Sequence, residues 1–181
     1  MGRFTYDLFE ESKVGTIFTH GDPQSNLNNQ LAGVDLNLRS SNWWNEQSVS
    51  WHGFYMTSDD ENENSDDVIG THFTFPNYPF RASGHWVRTG GNFNPALGFV
   101  RRRGGESTGF GFTYDFEQPE NELLEDISVG AEYDRYEWLD GDLDSDELEI
   151  NLIGIRTLAG DFLGLEVEFE RDILQEPFEI I

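Results

Sequence analysis

The chain has 181 residues, no cysteine and a formal net charge of -24, from 35 acidic and 11 basic residues. This length suits one domain of ordinary size and requires no second, while the lack of cysteine excludes a disulfide framework and a thiolate metal site. The negative charge argues against nucleic acid or an anionic lipid surface as the main partner, because both attract lysine and arginine. Cationic ligands, metal ions or a salty environment fit this charge better.

The sequence shows neither a membrane-spanning helix nor an export signal. No stretch approaches the roughly 20 consecutive apolar residues of a transmembrane helix. The first residues, MGRFTYDLFEES, hold one arginine and no apolar core of signal-peptide length. If the protein is exported, we expect the chain to be a fragment or its signal to lie upstream of Met1.

Alternating apolar and polar residues dominate the first half of the chain, which is the period of a strand with one apolar face. In residues 32–39, Ala, Val and Leu side chains alternate with Gly, Asp, Asn and Arg. The same pattern predicts strands at residues 14–19, 49–57, 68–75 and 78–88. Turns are expected at GDPQSNLNN and Pro76-Asn77, and the charged stretch DDENENSDD is expected to be a solvated loop.

A glycine-rich insert, GGNFNPALGFVRRRGG at residues 90–105, interrupts this pattern and holds three of the basic residues. Beyond it, Phe110, Phe112, Tyr114 and Phe116 recur at every second position, and further alternations cover residues 127–133, 148–155 and 163–169. About nine strands and no convincing helix predict an all-β protein. We expect a single domain over residues 1–181, an antiparallel up-and-down meander that forms part or all of a β-barrel.

The predicted connections alternate in length. Those at residues 21–29, 59–67, 90–105 and 139–146 are long, whereas SSNWWNEQ, Pro76-Asn77 and LAGD are shorter and EQPENE is intermediate. Long loops at one end and short turns at the other are typical of bacterial outer-membrane barrels. Aromatic residues near the predicted strand ends agree with the interfacial girdles of such barrels; they are Trp43, Trp44, Tyr78, Trp86, Tyr133, Tyr136 and Trp138.

The two faces of the predicted strands allow two opposite interpretations. In a membrane barrel, the Leu, Val, Ile, Phe and Ala face meets lipid and the Gly, Ser, Thr, Asn, Asp and Glu face surrounds water. In a soluble β-sandwich or lipocalin-like barrel, the apolar face is the core and the polar face meets solvent. Periodicity alone does not separate these two interpretations.

Four segments of the chain resemble one bacterial family. NFNPALGFVRRRG, LFEESKVGTIFTHGD, LAGVDLNLR and ERDILQEPFEII look like the C-terminal barrel of the domain of unknown function 5916 family. The resemblance covers nearly the whole chain, and the FNPxxGFVRR core is its most specific part. It implies an outer-membrane barrel, a carbohydrate-binding module of family 9 type upstream, and further strands after EPFEII. The chain would then be a barrel segment, and an odd number of strands would leave an open edge.

The central insert supplies most of the candidate functional residues. They are Asn92, Phe93, Asn94, Pro95, Gly98, Phe99, Arg101, Arg102 and Arg103. The Asn-Phe-Asn-Pro string favours turns, the glycine allows close backbone approach, and Phe99-Val100 is expected to be an apolar plug. The three arginines are permanently charged forked donors that suit carboxylates.

We expect these arginines to fold inward and form a constriction inside the barrel. There they would lower the self-repulsion of the acids predicted to line the lumen. Those acids are Asp35, Asp115, Glu132, Asp134, Glu166, Glu168 and Glu170. The alternative is that the arginines are solvated on an outer loop.

The sequence contains few patterns that are typical of catalytic or metal-binding sites. Without cysteine or a GxSxG motif there is no nucleophile candidate, and the 35 acids make any choice of a glycosidase carboxylate pair arbitrary. His20, His52, His72 and His85 are scattered singly. DGDLDSDE, from Asp140, resembles the start of a calcium loop but lacks the glycine and the final glutamate of an EF-hand. The sequence predicts no enzyme, no cofactor and no metal site.

Two functional hypotheses follow. The first is an outer-membrane β-barrel, or part of one, with lipid as its partner and a pore or transport role connected with carbohydrate. The second is a soluble acidic β-domain that binds a saccharide or a cation. Neither hypothesis includes nucleic acid, and the sequence leaves the oligomeric state open.

Overall fold

The computed structural model of the chain describes residues 1–23, 28–61, 64–117 and 123–173. Each strand pairs antiparallel with the next, so that one ten-stranded sheet follows the order of the sequence. This confirms the predicted all-β meander. Its strands are β1 (Gly2–Asp7), β2 (Lys13–His20), β3 (Asn29–Trp43), β4 (Gln47–Asp60), β5 (Asp66–Pro76), β6 (Phe80–Thr89), β7 (Gly105–Glu117), β8 (Leu124–Trp138), β9 (Leu143–Thr157) and β10 (Phe162–Asp172).

No helix in the described residues is long and apolar enough to cross a bilayer. The sheet is also not closed, because no ladder joins β1 to β10 within the described part of the chain. Residues of both edges nevertheless line one cavity, which Met1 and Ile17 border on one side and Glu170 and Asp172 on the other. The sheet is therefore curled around a common interior.

The strand that the sequence did not predict is β1. It pairs with β2 from Gly2↔Phe18 to Asp7↔Lys13. In its six residues only Phe4 and Tyr6 supply the apolar alternation, which is too short a signal to distinguish a strand from a polar terminus. With β1 the described part of the chain has ten strands, an even number, so the two edge strands of the sheet run antiparallel to each other.

A β-bulge explains why the alternation of β9 breaks near its end. Asn151 pairs with Glu166 and Ile153 pairs with Leu165, which leaves Leu152 as an extra residue between the two pairs. One extra residue moves every later side chain to the other face of the strand. This shift is the reason that the sequence pattern becomes unclear after residue 152.

Two acidic stretches predicted as long loops are partly strand at their ends. β4 continues to Asp60, β5 begins at Asp66, and β9 begins at Leu143 after a turn at residues 139–142. The acids are tolerated because some find partners on neighbouring strands, as Asp146 does by accepting bonds of 2.9 and 2.6 Å from Arg171. The long connection that remains within the described residues is the central loop, residues 90–104.

The two faces of the sheet differ in chemistry. We call the face that carries Leu31 and Val68 the inner face and the opposite one the outer face, since directly paired residues share a face. Many outer-face apolar side chains are between 38% and 59% exposed; they include Phe18, Val34, Tyr55, Ile69, Phe73, Phe110, Phe112, Tyr114, Phe116, Leu165 and Phe169. The apolar side chains of the strands therefore point mainly away from the interior.

Inner-face glycines make room for large side chains on neighbouring strands. A Cβ added at Gly109 would collide with His85 Cε1 and Asp134 Oδ1. At Gly84, on the outer face, an added Cβ would meet only Gly109 O at 3.6 Å and Phe110 Cβ at 4.0 Å. The two positions lie on paired strands but differ in the space beside them.

We predict that Gly109→Ala lowers the free energy of unfolding by about 1–3 kcal/mol, because the new methyl group overpacks the inner face. The matched substitution Gly84→Ala should be neutral or slightly stabilising, since it fits and restricts the unfolded chain. Urea titration of both variants checks this. Equal stability of the two would contradict the assignment of the faces.

Candidate functional site

The central loop folds onto the inner face of the sheet. Its Phe93 is 2% exposed and packs against Leu31 of β3 and Val68 of β5. Other partly buried apolar residues surround this contact; they are Ile17, Phe54, Met56, Val87 and Val100. The loop therefore adds a small apolar cluster to an otherwise polar interior.

Buried hydrogen bonds fix the first half of the loop to β3 and β4. The backbone N–H of Asn94 donates to Ser58 Oγ at 2.8 Å, and Asn94 Nδ2 donates to Asp60 Oδ2 at 3.0 Å. Asn29 Nδ2 donates to both Asp60 Oδ2 at 3.0 Å and Asn94 O at 2.9 Å. Asn29 and Ser58 are 0% and 1% exposed. Losing one partner in such a buried network typically costs about 1–3 kcal/mol.

The base of the loop is closed by backbone contacts. Gly104, at φ 74°, donates from its N–H to Thr89 O at 3.0 Å. Gly90 donates to Asp67 O at 2.8 Å, and a Cβ added at Gly90 would collide with the Asp66 carboxylate. That carboxylate accepts a bond of 2.8 Å from the N–H of Asn92. These glycines let the two ends of a compact loop meet.

The arginines connect the second half of the loop to β8 and β9. Arg102 donates to Asp144, and its guanidinium carbon lies 4.9 Å from the centroid of the Tyr136 ring. Asp144 also accepts a bond of 3.1 Å from Trp138 Nε1. Arg103 bonds back to Asn94 Oδ1 at 3.1 Å. The loop thus crosses the interior from the β3–β4 side to the β8–β9 side.

The apolar plug of the loop is Phe93 rather than Phe99. The sequence predicts Phe99-Val100 as the plug; Val100 packs against the buried cluster as expected, but Phe99 is 87% exposed. A tight turn separates Phe93 from Phe99, in which the N–H of Gly98 donates to Pro95 O at 2.6 Å. This turn directs Phe99 away from the cluster that Phe93 fills.

The acids predicted to line the lumen fall into two groups. Asp35 accepts a bond of 3.0 Å from Arg3, and the buried Asp115 accepts two bonds, of 3.1 and 2.9 Å, from Arg81. The other group lies on the inner face of β8 and β10, on either side of Glu147 and Glu149 of β9; its predicted members are Glu132, Asp134, Glu166, Glu168 and Glu170. The first group is neutralised by arginine and the second is an acidic ladder.

Glu147 and Glu149 are functional candidates that the sequence pattern did not single out. Direct pairing places Glu147 between Asp134 and Glu170, and Glu149 between Glu132 and Glu168. The signal that could have found them is their alternation with Leu148 and Ile150, which assigns both glutamates to the face opposite the apolar residues. Their neighbours on adjacent strands are set by register, which the local pattern does not give.

Three histidines that are scattered in the sequence form a row on the inner face. His52, His72 and His85 are directly paired across β4, β5 and β6. Their ring centroids are 6.1 and 5.8 Å apart, and the rings are nearly parallel. Parallel rings do not converge on one point. Among the described residues, no group of three or more histidine, aspartate or glutamate side chains is placed to hold a metal ion.

A cavity of about 910 Å³ lies between the central loop and the sheet. Phe93, Val100 and the apolar residues of β2 to β6 form one wall. Residues of β8 to β10 form the other wall, including Asp134, Glu147 and Glu170. The compartment between the loop and the inner face therefore has an apolar side and an acidic side.

No family model, curated protein or solved structure matches the chain. The resemblance to the domain of unknown function 5916 family therefore stays a prediction. Apart from the link to carbohydrate, the proposed function is argued from the geometry of this chain.

We predict that Phe93→Ala releases the central loop, because it removes the side chain that the inner face buries. The substitution should lower the free energy of unfolding by about 2–4 kcal/mol and accelerate tryptic cleavage at Arg101, Arg102 and Arg103. The control Phe99→Ala should leave the cleavage rate unchanged, since Phe99 is exposed. A trypsin time course followed by mass spectrometry measures both. Equal cleavage of the two variants would show that Phe93 does not anchor the loop.

Proposed function

We propose that the chain is an outer-membrane β-barrel, or a segment of one, whose inner face lines a water-filled passage narrowed by the central loop. Its role would be that of a pore or a transporter. The observation that carries this proposal is the exposure of the apolar side chains on the outer face. A lipid environment would cover that face, and a barrel is one of the two structures that satisfy backbone groups in lipid.

The outer face is too apolar for an ordinary water-exposed surface. On β7 alone, Phe110, Phe112 and Phe116 are 57%, 44% and 46% exposed. Soluble monomers rarely expose contiguous apolar patches larger than a few hundred Å², and here the apolar positions continue across the paired strands. Contact with hydrocarbon would explain this surface without a filled core.

The apolar zone is bounded at the loop end by charged pairs on the outer face. Arg88 lies 3.5 Å from Asp67 and 3.8 Å from Glu106, and Arg171 pairs with Asp146. From Phe110 to Phe116 the zone spans roughly 20 Å of strand at about 3.3 Å per residue. At the strand tilt of about 40° in outer-membrane barrels, this length corresponds to roughly 15 Å of height, which fits within their apolar band of about 25 Å. The charged pairs would then lie at the level of the lipid headgroups.

Aromatic residues bound the same zone at the turn end. Trp43 and Phe75 meet edge to face with centroids 6.4 Å apart, and Tyr114 and Phe116 do so at 4.7 Å. Trp43 and Tyr78 are about half exposed. Amphipathic rings at this height suit a membrane interface, which supports the membrane proposal.

The polar inner face suggests which ions would pass through the proposed passage. The acidic ladder of β8 to β10 and the roofed cavity face the same interior. Rings of carboxylates in a passage favour cations over anions. A link to carbohydrate is the further proposal that the family resemblance supports.

The membrane proposal predicts that the chain folds in lipid vesicles or detergent and shows heat-modifiable mobility on a gel. In vesicles, Ala131→Arg should cost about 2–4 kcal/mol of folding free energy, because Ala131 lies in the middle of the apolar zone. Ala32→Arg should cost only about 0–1 kcal/mol, since Ala32 lies at the level of Asp67 near the loop end.

Refolding titrations into vesicles measure both alanine variants. A monodisperse, folded protein in detergent-free buffer would contradict the proposal. So would equal costs for the two arginine substitutions, because depth in the membrane would then have no effect.

A constriction formed by the central loop predicts that Arg101→Glu with Arg102→Glu changes single-channel conductance and increases preference for cations. The reversal removes the Arg102 contact with Asp144 and adds negative charge beside the cavity. Arg88→Glu, on the outer face beside Asp67 and Glu106, is a charge-reversal control that should leave conductance unchanged. Planar-bilayer recordings give the comparison, and unaltered conductance in the double variant would remove the constriction.

A further inference from the structure

The cavity below the central loop has two walls of opposite chemistry. Its apolar wall is formed by the inner faces of β2 to β6 together with the loop. The side chains of this wall are Ile17, Leu31, Phe54, Met56, Val68, Val87, Phe93 and Val100. A ligand that contacts this wall must present an apolar surface of its own, because a polar group placed there would lose its hydrogen bonds to water.

The opposite wall concentrates carboxylates. Direct pairing sets Asp134, Glu147 and Glu170 side by side on β8, β9 and β10, and Asp172 lies further along β10. With strands about 4.8 Å apart, the three paired carboxylates extend over roughly 10 Å. A single charged group of a ligand could approach more than one of them.

Three arginines border the cavity, Arg101, Arg102 and Arg135, and two of them are held by acids outside this wall. Arg102 is held by Asp144 and by the Tyr136 ring, and Arg135 is held by Glu137. Within the described residues, Glu147, Glu170 and Asp172 form no ion pair with arginine, lysine or histidine. The cavity therefore keeps an excess of negative charge, which attracts cations and repels anions.

We propose that this cavity binds an organic cation with an apolar body. The hydrocarbon or aromatic part of the ligand lies against Val68, Val87 and Phe93, and its ammonium group lies near Glu147 and Glu170. A volume of about 910 Å³ is sufficient for a drug-sized molecule. A hydrated metal ion or a free sugar would leave the apolar wall uncovered, and an apolar acid would be repelled by the carboxylates.

This site does not require the outer face to meet lipid. The cavity is formed by the inner face and the central loop, so it exists whether the protein folds in a bilayer or in buffer. Ligand binding and membrane insertion are measured separately, and either proposal can fail without the other.

The test compares three probes of similar shape on the folded, full-length chain. Phenethyltrimethylammonium is the cation, 3,3-dimethylbutylbenzene is its neutral counterpart, and 3-phenylpropanoate is the anion. Equilibrium dialysis against protein-free vesicles or buffer corrects for partitioning into lipid. We expect the cation to bind at least about tenfold more tightly than the other two probes. One favourable charge contact in surroundings of intermediate dielectric is strong enough to produce a difference in affinity of this size.

Two matched double variants locate the cation. Glu147→Gln with Glu170→Gln should weaken binding of the ammonium probe by about tenfold or more. Glu149→Gln with Glu168→Gln removes the same charge from the next pair along the same two strands, outside the cavity lining, and should change binding by less than about threefold. The near-isosteric Val87→Thr tests the apolar wall and should weaken binding several-fold.

Equal affinity for the three probes would overturn the site. Equal losses in the two double variants would also overturn it, because the acidic ladder would then act only as a diffuse field. If the variant at Glu147 and Glu170 does not fold, Asp172→Asn and Val87→Thr carry the test, and unchanged binding in both rejects the proposal.

Discussion

The structure depends on one constraint, which is that most apolar side chains of the strands point outward while most polar side chains point into a common interior. Among the described residues, only Leu31, Val68 and Phe93 are buried apolar side chains. A water-soluble domain of this size normally gains most of its stability from a much larger buried core. Here the backbone ladders hold the sheet together, and burial of the outer face is left to the surroundings. The membrane proposal follows from this arrangement.

The central loop compensates for the missing core. It brings Phe93 to the inner face of β3 and β5 and fixes Asn94 to buried polar groups of β3 and β4. At its other end Arg102 reaches Asp144 of β9. A loop held on both sides divides the interior and creates the cavity below it. The apolar and acidic walls of that cavity are therefore consequences of where the loop attaches.

The sequence predicts what depends on local alternation. Phe110 to Phe116 indicated the outer face of β7, and the class of fold followed from repeating that pattern. Where the alternation of apolar and polar residues is short or interrupted, it did not predict the strand correctly. This holds for β1, which has only two apolar residues in alternation, and for β9 at the Leu152 bulge. The burial of Phe93 rather than Phe99 depends on Leu31 and Val68 and on the bonds that the next residue, Asn94, makes to Ser58 and Asp60, more than thirty residues away. No local pattern contains those contacts, nor the register that places Glu147 beside Asp134 and Glu170.

Spin labels on β7 test the orientation of the sheet most directly, and the absence of native cysteine makes single labels unambiguous. Phe110→Cys, Phe112→Cys and Tyr114→Cys place labels on the outer face, while Gly111→Cys and Thr113→Cys place them on the inner face. In vesicles, the account predicts that the outer-face labels are more accessible to oxygen, which concentrates in lipid, and the inner-face labels to a water-soluble nickel chelate. Nickel accessibility that is equal on both faces, or higher on the outer face, would contradict the account.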